Sequence, residues 1–423
     1  MKKALLFLGI YFLSISLQAQ VQVDQVLDSN IKTVLVFPKG KPLALPVIAL
    51  NSTESLLIQF DDLRAQYQQY FFTIELLDIH WKPVPLNPFD YISGLTQNNI
   101  RDYTISSIAQ QAYYHYAFTY PSAASRPIKS GNYVMKVYRQ GGHKELVFTK
   151  RFYVVEQEVP IAASIQEPFE ASISKSHQKV QLTLDVKKLS FFQPEFLQVA
   201  VVQNTRFNDA LISNAPSFIR GNLIEYNADR DFVFPAGKES RWLDLQNLRF
   251  RTDRIAQIQQ LGYGSNIILK PDISRAAIPY FTFKDLNGQL IISNSESIRS
   301  EDQNDYARVL FTYVPKDGLP FEGASLYLSG ALTGNSLDKN ALMDWHPQQR
   351  SYQKWLLLKQ GYYSYNYILR SDQNPNPLND FSVTEGDHWE TENSYSIFVY
   401  YRVPGNRYDQ IIGFSNLNSM QNW

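Results

Sequence analysis

Cysteine is absent from all 423 residues, so no disulfide braces the chain and no thiolate can act as nucleophile or metal ligand. Long apolar runs are missing after the N-terminus: no later stretch approaches the ~18 consecutive apolar residues of a membrane-spanning helix. An excess of one charge is lacking too, with 40 Lys and Arg against 40 Asp and Glu. That balance offers no electrostatic footprint for nucleic acid or an anionic membrane surface. Histidine is scarce, and His80, His115, His143, His177, His346 and His388 show no ligand spacing such as His-x-x-x-His. Gly262-x-Gly264 lacks the third glycine and the preceding strand of a dinucleotide fingerprint, and neither a Gly-x-Ser-x-Gly elbow nor a P-loop occurs. The chain therefore reads as one without catalytic, cofactor-binding or metal-binding residues, and so not as an enzyme.

What is present begins with a leader. Lys2 and Lys3 precede an apolar run from Ala4 to Leu17, and Ala19-Gln20 offers a cleavage point. Residues 1–19 thus read as a secretory signal peptide. Leu17 is larger than the residue usually found three before a cut, and no cysteine follows to carry a lipid anchor. The mature chain is expected to be exported and soluble. It is rich in aromatics, with 27 Tyr and 26 Phe, residues that favour pleated, half-buried surfaces. Some of the Tyr excess also suits surfaces that meet a partner, because Tyr covers much area at low entropic cost.

The pattern predicts a mainly β chain of tandem immunoglobulin-like sandwiches. An N-terminal unit, 20–158, carries strands at Thr33–Phe37, Leu56–Phe60, Phe71–Leu77, Tyr113–Tyr120, Tyr133–Tyr138 and Val147–Val155, spaced as in such a sandwich. Pro83–Pro88 is a surface loop, since Pro cannot donate to a ladder. A middle β-rich unit, 159–304, has strands at Lys179–Val186, Leu197–Gln203, Asp231–Phe234 and Arg241–Leu245. It also has a short helix at Asp253–Leu261, a hairpin turn at Asn287-Gly288 and a polar linker, Ser293–Asn304. A C-terminal unit, 305–423, has strands at Arg308–Tyr313, Ser325–Ser329, Tyr352–Leu358, Gly361–Leu369 and Tyr395–Arg402. In the fourth of these, Tyr363, Tyr365, Tyr367 and Leu369 share one face.

Few constellations invite chemistry. Asp61-Asp62 is the best carboxylate pair, but neighbours on a strand face opposite ways, so a turn or cap is the expected role. Glu385–Glu392 has oxygen ligands and His388 but lacks the order of a calcium loop, and is expected to be a solvated loop with Trp389 packed. The segments Ser329–Thr333 and Leu356–Tyr365 resemble the early-set, glycogen-binding-like immunoglobulin module. In its sugar-binding members a stacking Trp follows the glycine turn, where this chain has Gly334 and Asn335. A second stacking aromatic is replaced by Ser371-Asp372-Gln373-Asn374. Trp345 and Trp355 are the aromatics left to compensate, but core packing is expected of both.

Dispersed segments in fixed order carry a wider resemblance. They are Ile31–Phe37, Leu56–Leu63, Trp81-Lys82-Pro83, Asn99–Tyr103, Arg126–Tyr133, Glu392–Tyr395 and Val399–Gly405. Together they resemble the type IX secretion system plug proteins of Bacteroidota, over essentially the whole mature chain. One departure is Leu77 or Asp78 where the family usually has Cys. The resemblance implies a periplasmic, non-catalytic protein at the outer membrane. It would bind the periplasmic side of the giant outer-membrane translocon β-barrel and seal its pore when no substrate is in transit. It implies no cofactor, nucleic acid or small-molecule substrate. The partner-binding residues stay unknown at this stage, with Pro83–Pro88 and Ser371–Glu392 as candidate loops. The alternative is a periplasmic glycan-binding protein acting through the C-terminal module.

Overall fold

Aromatic and β-branched residues at alternate positions favour pleated strands over helices, and the computed structural model is built accordingly. It describes residues 23–141, 144–189, 193–262, 264–295, 300–371 and 380–422. The leader, His143, Tyr263 and the polar stretch 372–379 lie outside these. Among the described residues the one α-helical element is the single turn Ser300–Gln303, within the segment read as a linker.

Three apolar cores organise the strands. In the first, one sheet runs Ile31–Pro38, Leu56–Asp62, Tyr114–Tyr120, Tyr103–Ile105. The facing sheet runs Val47–Ala49, Glu145–Val155, Gly131–Arg139, Tyr70–Leu77, Gln97–Ile100. Ile31, Ile58 and Phe60 from one layer meet Tyr70, Tyr133 and Phe148 from the other. In the second core, Ile161–Gln166, His177–Asp185, Leu223–Tyr226 and Phe218–Arg220 face Leu211–Ser213, Leu197–Gln203, Ser394–Tyr401 and Gln410–Asn418. In the third, Gly361–Ser371 and its neighbours Arg241–Asp244, Leu290–Ile292 and Ala324–Ser329 face the sheet built on Gly264–Leu269, Tyr306–Val314 and Ser351–Lys359. Tyr363, Tyr365 and Tyr367 share the buried face of this core, as their alternation requires.

Pairing crosses the division read at 304/305 in both directions. Ser394–Tyr401 bonds antiparallel to Leu197–Gln203, and Gly264–Leu269 lies parallel to Tyr306–Val314. The segment 241–371 therefore builds one core between two halves of another. Alternation identifies a strand without naming its neighbour, so chain order was a poor guide to this grouping.

The helix expected at Asp253–Leu261 is instead a strand, Ile255–Leu261, paired antiparallel with Gly264–Leu269. A bulge between Ile255 and Gln257 brings Ile255 and Ile258, three apart, to the same side of the strand, which imitates helical spacing. Asn287 and Gly288 do form a tight turn, with φ of 50° and 77° and a Gln289 N–H to Leu286 carbonyl bond of 2.9 Å. It leads into Leu290–Ile292, but no strand directly precedes it among the described residues.

Candidate functional site

Alternation along Leu56–Asp62 sends the two aspartates to opposite faces, and both are buried. Asp62 turns toward the first core, where its carboxylate accepts from the Tyr70 hydroxyl at 2.8 Å and from Arg64 at 3.0 Å. It also accepts from the Arg64 N–H at 3.0 Å, a local turn of the kind expected. Asp61 turns outward onto the third core. There it accepts from the Tyr306 hydroxyl and from the Lys359 ammonium, each at 2.6 Å, and bonds His115 Nδ1 at 2.6 Å. Lys359 also lies 4.5 Å from the Tyr113 ring centroid, and the Tyr113 hydroxyl donates to the Asn304 carbonyl at 2.8 Å. Asp61 is thus no cap but the centre of a buried joint between two cores. Burial opposes its ionisation, yet Lys359 and His115 outweigh that and hold its carboxyl below the ordinary value. Burial first, and the nearby Asp61 second, raise Tyr306 and Tyr113, so both stay protonated donors.

The joint between the first and second units is apolar and aromatic. Tyr153 and Val155 of the first unit pack on Ala200, Val202, Phe398 and Tyr400 of the second, with the Tyr153 and Phe398 rings stacked at 4.3 Å. The Tyr400 hydroxyl donates to Asn132 Oδ1 at 2.8 Å. Arg151 pairs with Asp24 and lies between Trp81 and Phe207, 4.6 and 4.4 Å from their ring centroids. A cleft of about 650 Å³ opens beside it, where the three units meet, lined by residues including Asp24, Trp81, Phe207 and Asn335.

The acidic stretch 385–392 departs from expectation. Glu385 is fully buried, bonded by Arg241 at 3.1 Å, Arg275 at 2.7 Å and the Tyr367 N–H at 3.0 Å. A carboxylate that meets two guanidiniums is kept inside rather than solvated. Trp389 is half-buried, and its backbone N–H donates to the Lys175 carbonyl at 3.0 Å.

Of the other candidates, the 83–88 loop is exposed except for Val84 and Leu86, which rest on the first core. His80 is exposed, His177 contacts Ser176 Oγ at 2.8 Å and His388 stacks on Tyr280 at 4.0 Å. No group of three metal-ligating side chains occurs among the described residues. The turn at Gly334-Asn335 does not present a platform to solvent: Asn335 Nδ2 donates to Thr205 Oγ1 at 3.2 Å, across to the second unit. Trp345 packs at 4.9 Å from the Tyr352 ring. Trp355 is not in a core; it is 40% exposed, with the Arg308 guanidinium 5.1 Å from its ring centroid.

Most tyrosines are core residues. Tyr70, Tyr113, Tyr116, Tyr120, Tyr133 and Tyr226 are among the largest fully buried side chains. An exposed group remains at Tyr67 and Tyr103, on the rim of the first core. Sequence reasoning missed this rim because Tyr103–Ile105 is only three residues long, too short for alternation to show. It missed Lys359 because nothing local marks a lysine as buried.

Comparison with known proteins places this geometry. The model of the type 9 secretion system plug protein 1st domain matches residues 31–156, the span of the first core. A crystal structure of a hypothetical protein from Parabacteroides merdae ATCC 43184 superposes with a TM-score of 0.88 at 30% sequence identity, covering 93% of this chain and 98% of that one. No curated protein matches the chain.

Proposed function

By its first domain, residues 31–156, the chain belongs to the type 9 secretion system plug protein family, and from that premise we propose that it is a non-catalytic stopper. It binds the periplasmic side of the outer-membrane translocon barrel and seals the pore when no substrate is in transit. Its place is the periplasm, held to the outer membrane through protein contacts. The three cores are read as three β-sandwiches of immunoglobulin-like type, the third of early-set kind.

The observation that carries this reading is the joint at Asp61. A pore wide enough for folded cargo needs a body that does not flex open. Here the first and third cores are fastened through one buried carboxylate bound by Lys359, Tyr306 and His115. Within the closed joint the carboxylate depends on these partners, since removal of one would leave a buried charge uncompensated. The test is affinity purification of the tagged chain from detergent-solubilised outer membrane. The expected eluate contains a very large barrel protein in stoichiometric amount; its consistent absence counts against the assignment.

A further inference from the structure

The first core has an unsealed rim. Tyr103–Ile105 is the outermost strand of its sheet, bonded to Tyr114–Tyr120 on one side only, and all three residues are exposed. The Asp102 carbonyl accepts from the Ala117 N–H at 3.4 Å, and the Ser106 N–H donates to the Tyr113 carbonyl at 3.0 Å. Inward-bonded residues alternate along an antiparallel ladder. With 102 and 106 bonded inward, Thr104 is too, and the backbone N–H and C=O of Tyr103 and Ile105 point away from the sheet. Two such outward pairs, two residues apart, match the spacing at which an incoming strand forms its bonds.

Several large apolar side chains lie exposed at this edge and beside it. The Tyr103 ring lies 5.2 Å from that of Tyr67 and 5.4 Å from that of Tyr114. Tyr67, Tyr103, Ile105 and Ile108 are 52%, 43%, 52% and 68% exposed. At about 200 Å² per large side chain, they uncover roughly 400 Å², comparable to the largest apolar patch on an ordinary monomer. That is about half of what each side of a stable interface buries, too little for a dimer of this chain through the rim alone. Natural edges are usually guarded by Lys, Pro or an inward charge. Residues 103–108, Tyr-Thr-Ile-Ser-Ser-Ile, contain none of these.

We infer that a periplasmic segment of the translocon barrel binds here as an added antiparallel β-strand on Tyr103–Ile105, with Tyr67 and Tyr103 covering its side chains. This rests on the plug reading and gives that docking a place. The outward backbone requires an extended partner, and the small patch suits a contact that forms and releases as one part of a larger interface.

Ile105→Pro tests it. The substitution removes an outward N–H and leaves the inward ladder intact, a position where an edge strand tolerates Pro. The amount of barrel recovered per tagged chain from solubilised outer membrane is expected to fall at least tenfold, with the melting temperature of the chain unchanged. Should Ile105→Pro disturb folding, a photo-crosslinking residue placed at Tyr103 gives an independent readout, with an adduct to the barrel expected. Equal recovery of barrel by a folded Ile105→Pro chain, or a crosslink only to a second copy of this chain, overturns the strand-addition proposal while leaving the plug reading intact. If the unaltered chain recovers no barrel, both fall.

Discussion

At Asp61 one carboxylate does for two cores what a disulfide does elsewhere in exported proteins, and it does so with three donors rather than a bond. Removing one partner is therefore worse than removing the charge altogether. Lys359→Met should cost about 3–5 kcal/mol by stranding the carboxylate, whereas Asp61→Asn/Lys359→Met should recover much of that loss. Denaturant unfolding of both variants decides it, and equal losses would contradict the account. Because the folded pKa of Asp61 is lowered, its stabilisation is present above the ordinary value of ~3.9 and is lost only as pH falls through the lower folded value. Glu239 has the opposite sign. Burial raises its carboxyl, Asp285 adds repulsion, and its Oε2 has no hydrogen-bond partner among the described residues. The folded state then holds that proton more tightly than the unfolded one, so ionisation at neutral pH destabilises. Glu239→Gln keeps an acceptor for the Tyr280 hydroxyl, which donates to Glu239 Oε1 at 2.6 Å. It should stabilise the fold at pH 7, because the amide carries no charge to bury. The gain should shrink as pH falls toward ~4.3; melting curves at pH 7 and 4.5 check both the sign and the trend, and a less stable variant at pH 7 would contradict it.

At the scale of elements, the last strands are structural members of a core that starts far earlier in the chain. Tyr395, Ile397 and Val399 pack with Val199, Val201 and Leu182, so a chain ending before Ser394 should lose the second core as a unit. Limited proteolysis of that truncation should open residues 159–235 while 31–155 resist; equal resistance of both would show that the terminal strands are dispensable. Most long strands were legible from alternation, as Tyr363–Leu369 illustrates, because a buried face writes itself into every second residue. Which strands are neighbours was not, since Tyr395–Arg402 carries the same pattern wherever it pairs. Bulges defeat the pattern locally, which is why Ile255–Leu261 read as a helix. Asp61 was visible as half of a pair, and its opposite facing from Asp62 followed from geometry. Its partners Lys359 and Tyr306 were not visible, because they lie 298 and 245 positions away.

For the whole molecule, three cores are fastened by joints of different kinds: ionic between the first and third, and aromatic between the first and second. A body built this way resists bending at its seams, and an unguarded strand edge on the first core offers a place to attach. Both suit a stopper that must be stiff yet removable. The most direct measurement is outer-membrane uptake of a large antibiotic by cells lacking the gene, compared with cells carrying it. The account predicts markedly faster entry in the deletion strain, with secretion through the translocon largely retained. Unchanged entry alongside an intact translocon would contradict it.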